Sequence, residues 1–143
     1  MSYSADIPDA DRPRRTELPW FGELDELDFE IDFFEQILRR QPNYLNVLRV
    51  IGELLSRKGL YDRTLEIDRR LVSLRPGDGI ARYNLACSLA RQGDLLLAVG
   101  ELSNALELGY DDFAHLEVDP DLDTLRELPE FLALIRRYGV EKE

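Results

Sequence analysis

A self-similarity at a spacing of 34 residues constrains this chain more than any other feature. Gly59 returns as Gly93, Gly52 as Ala86, Ile51 as Leu85, Leu55 as Leu89, Leu65 as Val99, Leu71 as Ala105 and Leu74 as Leu108, and Pro42 stands 34 residues before Pro76. A fixed period of this length describes a supersecondary unit that buries its apolar face only by stacking on its neighbours. Each unit reads as two helices, about 45–58 and 61–74 in the first and 79–92 and 95–108 in the second. Leu95, Ala98, Val99, Leu102, Ala105 and Leu106 recur at intervals of three and four, which draws one apolar stripe along a helix. Gly59 and Gly93 supply the left-handed turn that ends each first helix, and Asp94 is expected to cap the helix that follows. Pro76-Gly77-Asp78 and Pro42-Asn43 break the chain between units, while Gly52, Ala86, Ala98 and Ala105 let helices approach closely. Strands find no comparable support, so the chain is expected to be all-α.

Within residues 79–112, Tyr83-Asn84-Leu85-Ala86, Gln92-Gly93-Asp94, Ala98 and Ala105-Leu106-Glu107-Leu108 resemble the tetratricopeptide repeat. Residues 45–78 follow the pattern through Gly52, Gly59, Tyr61 and Pro76. They depart from it at Thr64, which replaces the usual alanine, and at Asp68, which stands where the family packs an aromatic or large apolar residue. Leu48 and Arg82 occupy places where tryptophan is common. The resemblance implies a right-handed α-solenoid of antiparallel helix pairs with capping helices, covering about residues 26–138. A half unit at 26–44 contains a helix over 26–40 with Phe29, Ile31, Phe33, Phe34, Ile37 and Leu38. Repeats at 45–78 and 79–112 follow, then a C-terminal cap at 113–138. In that cap Asp111 to Leu116 suggests a short helix. Asp119-Pro120-Asp121-Leu122-Asp123-Thr124-Leu125-Arg126, with Pro129, Phe131 and Leu134, is similar to the closing module of many bacterial tetratricopeptide proteins. Leu122, Leu125, Phe131, Leu132 and Ile135 are expected to cover the last repeat's apolar edge. Residues 1–25, with Pro8, Pro13 and Pro19, read as a mobile acidic tail. Trp20 and Phe21 are expected either to cover an apolar helix face or to dock on another chain.

The 143 residues carry 18 basic and 29 acidic side chains, a formal charge of −11. Residues 1–40 hold 11 acids and 5 bases, residues 41–110 hold 8 and 9, and residues 111–143 hold 10 and 4, so two acidic ends flank a nearly neutral middle. No segment has the cationic excess that phosphate backbones require, and no nucleic-acid partner is expected. The run from Glu17 to Gln36, with eight acids and no base, reads as a solvated face. The N-terminus shows no basic segment followed by an apolar stretch, no run approaches a bilayer's thickness, and Cys87 stands alone. Neither a secretory signal nor a membrane partner is expected, and a reducing cytoplasm fits.

A second stripe follows helical spacing on the first helix of each unit: Asn46, Arg49, Val50, Glu53 and Arg57, then Ile80, Tyr83, Asn84, Cys87 and Arg91. These residues lie off the inner stripe of Val47, Ile51, Leu54 and Leu55. In tetratricopeptide proteins the first helices line a concave groove that binds peptides, so the resemblance places these ten there. Arg49, Arg57 and Arg91 suit the carboxylates or carbonyls of an extended segment, although each alone reads equally as a surface charge. A clamp for a C-terminal carboxylate is not expected. Asn84 and Arg49 fit one, but Glu53 replaces an asparagine, and Ala114 and Val118 stand where cations are needed. Asp119, Asp121, Asp123, Glu127 and Glu130 have the oxygen spacing of a calcium loop, yet Thr124 occupies its glycine turn, Arg126 replaces an apolar residue, and Pro120 and Pro129 stiffen the stretch. Helix capping explains these acids better. His115 is the single histidine, no glycine-rich phosphate loop or metal-spaced Cys/His cluster exists, and Cys87 reads as a small core or groove residue. No catalytic residue, metal or cofactor is expected. The reading is a non-catalytic module that binds a peptide or helix of a protein partner. Self-assembly through Trp20, Phe21 or a solenoid end is the alternative, and the tail is a candidate occupant of the chain's own groove.

Overall fold

Aspartates and glycines set the helix boundaries in the computed structural model, which describes residues 25–139. The expectations for Trp20, Phe21 and the rest of the tail lie outside the described residues. Among the described residues seven α-helices run in order: α1 (Glu26–Arg40), α2 (Leu45–Lys58), α3 (Tyr61–Leu74), α4 (Gly79–Arg91), α5 (Leu95–Glu107), α6 (Phe113–Val118) and α7 (Pro129–Tyr138), with a 3-10 helix at Pro120–Leu125 between the last two. No strand occurs among the described residues. Asp25 accepts from the Asp28 amide at 2.7 Å, Asp78 from the Ile80 and Ala81 amides at 3.0 and 3.2 Å, and Asp112 from the His115 amide at 3.1 Å, each satisfying orphan donors of a first turn. Gly59 and Gly93 take φ of +83° and +86°, the left-handed geometry that ends α2 and α4. Asp94 precedes α5 as expected, but its side chain makes no capping bond. Its backbone carbonyl receives the Ala98 amide at 2.9 Å instead.

The chain divides into two compact units, Met1–Ile67 and Asp68–Glu143, with the division inside α3 rather than at the repeat boundary near residue 78. In the first unit α1 packs on α2. Phe29, Ile31 and Phe34 are buried, as are Val47, Leu48, Val50, Ile51, Leu54 and Leu55. Lys58, at the end of α2, reaches Asp25 and Asp28 at the start of α1 at 2.7 and 2.9 Å, so the two helices run antiparallel. Arg63 pairs with Glu35. Thr64 is buried, and its hydroxyl donates to the Leu60 carbonyl at 3.1 Å, so its polarity is absorbed within its own turn.

In the second unit α4 packs on α5 and on the 3-10 helix, and α7 packs on α5. A Cβ on Gly79 would stand 3.3 Å from the Ala105 carbonyl, so glycine allows the close approach of the start of α4 to the end of α5. Leu122, Leu125, Phe131 and Leu134 are buried, whereas Leu132 is 48% exposed. The cap therefore uses Leu134 in place of the expected Leu132. Once Pro129 opens the helix, Phe131 and Leu134 lie three residues apart on one face, and Leu132 is turned away from it.

One repeat position pair changes chemistry between the units. Leu48 and Ile67 are both buried in the first. Thirty-four residues later Arg82 and Glu101 form an ion pair, Nη1 meeting both carboxylate oxygens at 3.0 and 3.3 Å while Arg82 Nε donates to the Pro76 carbonyl at 3.0 Å.

Candidate functional site

On α4, Ala81, Tyr83 and every residue from Leu85 to Ala90 are buried. A helix exposed along a groove would show an apolar side and a polar side. Here the second side is covered by the chain's own C-terminal segment. The Tyr83 hydroxyl donates to Asp119 Oδ2 at 2.7 Å, and the same oxygen lies 3.6 Å from Cys87 Sγ and 3.1 Å from His115 Nε2. The other oxygen, Oδ1, accepts the Asp121 amide at 3.0 Å and so caps the 3-10 helix. Arg91 Nη1 meets Asp121 Oδ2 at 2.8 Å. Tyr83 also stacks on Tyr110, with ring centroids 4.2 Å apart and planes 9° from parallel. Arg126 Nη2 donates to the Asp119 carbonyl at 2.7 Å, holding the segment from its other side.

Tyr83 and Cys87, assigned by the resemblance to a groove wall, are 3% and 5% exposed, because Asp119 supplies the acceptor that lets them be buried. Ile80 is exposed, and Asn84 and Arg91 are half-buried. On α2, Val50 is buried and belongs to the first unit's core, contrary to its expected place off the inner stripe. Asn46, Arg49 and Glu53 are half-buried and Arg57 is exposed. Arg49 Nη1 donates to Asn46 Oδ1 at 3.4 Å. The two stripes thus differ at two matched positions, where Arg49 and Glu53 are half-buried and Tyr83 and Cys87 are buried.

A further polar chain runs from Asp68. The Ser88 hydroxyl donates to Asp68 Oδ2 at 2.5 Å, and Arg91 Nη2 donates to Ser88 Oγ at 3.2 Å. Burial pushes Asp68 up to about 6, against the opposing pull of the Ser88 hydrogen bond and the Arg91 charge. The repeat register carried a legible signal for this pair. Asp68 stands 34 residues before the buried Leu102, and Ser88 stands 34 after the buried Leu54. Two polar residues replacing two core leucines fit a mutual bond.

Burial also raises Tyr83 and Cys87, and lifts Tyr110 to about 12. Cys87, Asp119 and Asp121 each offer a ligand atom within 4.8 Å of the others. Their chemistry is that of a hydrogen-bonded cluster: Asp119 already receives Tyr83 and His115, Arg91 neutralises Asp121, and burial keeps the thiol protonated where a metal needs a thiolate.

No family model matches the chain. Its sequence is 31% identical over 90 residues to a chloroplastic protein of Arabidopsis thaliana. That alignment covers 61% of this chain and 27% of the plant protein, so the chain spans little more than a quarter of the relative's length. Among the described residues no helix is long and apolar enough to cross a membrane.

Proposed function

We propose that this chain is a non-catalytic protein-interaction module, a short right-handed solenoid of tetratricopeptide-like helix pairs in which the first helix α2 holds a peptide or helix of a partner, the matching stripe of α4 being taken up by the chain's own Asp119 and Asp121. The observation that carries this reading is the engagement of the α4 stripe with Asp119-Pro120-Asp121. Tyr83, Cys87 and Arg91, spaced by four along one helix, receive a turn that presents two carboxylates. The equivalent positions on α2 are Arg49 and Glu53, half-buried, and Arg57, exposed. Cationic residues spaced along a helix suit a segment with acidic side chains, because charge-assisted bonds from guanidinium are directional. The 34-residue period and the pairing of adjacent helices support the solenoid. The burial of Cys87 and the upward shift of its thiol oppose a nucleophilic role for that residue.

The test separates binding from stability. A partner captured with the full chain is titrated against the Arg49→Ala/Arg57→Ala double variant, leaving Arg91 in place because it holds Asp121. Affinity is expected to fall about tenfold or more with an unchanged melting temperature, and an unchanged affinity would sink the reading.

A further inference from the structure

We propose that the α2 stripe is held by the chain's own N-terminal segment, with Glu17 at Arg57, Arg14 at Glu53 and Asp11 at Arg49. This names a resident occupant for the site of the preceding reading, and its meaning as regulation rests on that reading.

The second unit supplies the precedent. There the stripe of Tyr83, Cys87 and Arg91 is taken up by an acidic segment of the same chain, through Asp119 and Asp121. The other acidic end of the chain adjoins α2. Asp25, where the described residues begin, meets Lys58 at 2.7 Å, and Lys58 follows Arg57 directly. Twenty-four residues precede Asp25. At about 3.3 Å per residue, the eight steps from Asp25 back to Glu17 reach about 26 Å, whereas Arg49 and Arg57 stand about 12 Å apart along the helix. The whole stripe is therefore within range of this segment.

Charge order matches the occupant to the site. Along α2 the stripe reads positive, negative, positive at Arg49, Glu53 and Arg57, so Glu53 disfavours a purely acidic segment and asks for a base between two acids. The N-terminal segment has that order: Asp6, Asp9 and Asp11, then Arg12, Arg14 and Arg15, then Glu17 and Glu23. These three arginines are the only bases before Arg39, so the order occurs once in that stretch. The first two turns of α1 offer Glu26, Asp28, Glu30 and Asp32 alone, which would set Asp11 and Glu17 against like charge. Pro13 fixes its own φ and extends Arg12. An extended proline-bearing segment has three residues per turn, so Asp11, Arg14 and Glu17 share one side at steps of about 9 Å. The α2 stripe steps by about 6 Å, and the long arginine side chains take up the difference. The direction follows from the attachment, since Glu17 is nearest to Asp25 in the chain and Arg57 is nearest to Lys58. Exposed ion pairs are individually weak, but the tether gives the segment an effective concentration of about millimolar. Docking is therefore reversible, and a partner's segment has to displace it.

The full chain carrying Ala10→Cys is labelled there with a nitroxide, Cys87 being buried. In its nuclear magnetic resonance spectrum the amides of residues 46–50 are expected to broaden more than those of residues 55–58. The broadening is expected to vanish at about 1 M salt, where the screening length falls to about 3 Å. Asp11→Arg/Glu17→Arg and Arg49→Glu/Arg57→Glu are each expected to reduce it about threefold or more, and the two reversals combined in one chain are expected to restore it. Helical circular dichroism checks the fold of each variant, and the first reversal lies outside the described helices, so the test stands even where the second disturbs α2. Broadening centred on α1, broadening that survives the first reversal, or no recovery in a folded combined chain would each overturn the proposal. No partner enters these measurements, so their failure leaves the peptide reading standing. Conversely, a partner affinity unchanged by Arg49→Ala/Arg57→Ala sinks that reading and leaves the docked segment in place.

Discussion

Helices α2 and α4 occupy the same place in successive repeats and put the matching stripe to different uses. On α4, Tyr83 and Cys87 are interior and end on the carboxylate of Asp119. On α2 their counterparts Arg49 and Glu53 remain half-buried polar residues. The difference lies less in the helix than in what the chain places against it. A first-helix face becomes core when a later segment brings the right acceptors, as Asp119 does for Tyr83 and Cys87. The Asp68 and Ser88 pair makes the same point inside the core, where two positions that are leucine in the other repeat exchange apolar contact for one short hydrogen bond.

The largest effect expected to break the comparison comes from Asp119→Ala. It strips the acceptor from Tyr83, Cys87 and His115 and removes the cap of the 3-10 helix, and a loss of about 3 kcal/mol in urea unfolding is expected. The matching test on α2, Glu53→Ala, is expected to stay within about 0.5 kcal/mol.

Asp68 sharpens the comparison through pH. Its folded value of about 6 lies above the ordinary 3.8, so the folded state binds the extra proton. The associated stability is fully present below the unfolded value and is lost as pH rises through about 6, a swing of about 2–3 kcal/mol. Asp68→Asn is expected to flatten the profile between pH 4 and 7 and to be more stable than the wild type at neutral pH; a parallel pair of profiles would refute this.

Smaller still is the exchange of Arg82 and Glu101 for the leucine and isoleucine of the preceding repeat. Both partners are about one-fifth exposed, so the double variant is expected within about 1 kcal/mol of wild type. Glu101→Ile alone, which leaves the guanidinium with one partner fewer, is expected to cost about 1–2 kcal/mol by thermal unfolding.

Much of the helical framework was legible because its cues are local. The apolar stripes and the two left-handed glycines place α1, α2 and α3 at 26–40, 45–58 and 61–74, the spans observed, and α4 and α5 end one residue earlier than expected. The site was less legible. Spacing shows that Tyr83 and Cys87 share a face, but their burial depends on a segment whose acceptor is 36 residues beyond Tyr83. Val50 departs from its expected place for a related reason, since the buried side of α2 is wide enough to include residues flanking its inner stripe. Leu132 shows the limit of composition. It is as apolar as Leu134, and only the face that α7 turns toward α5, which carries Phe131 and Leu134, decides which of them is covered.

The bond between Tyr83 and Asp119 has a consequence for how the molecule is made. The tyrosine leaves the ribosome 36 residues ahead of its acceptor, so its hydroxyl and the neighbouring thiol wait until Asp119 has followed before that carboxylate can receive them. A chain truncated before Asp119 can wind α4 and still lack the carboxylate that lets its far side become interior. Completion of the second unit is thereby tied to the synthesis of Asp119, and a product that stops before it carries an unfinished surface that quality-control machinery can recognise.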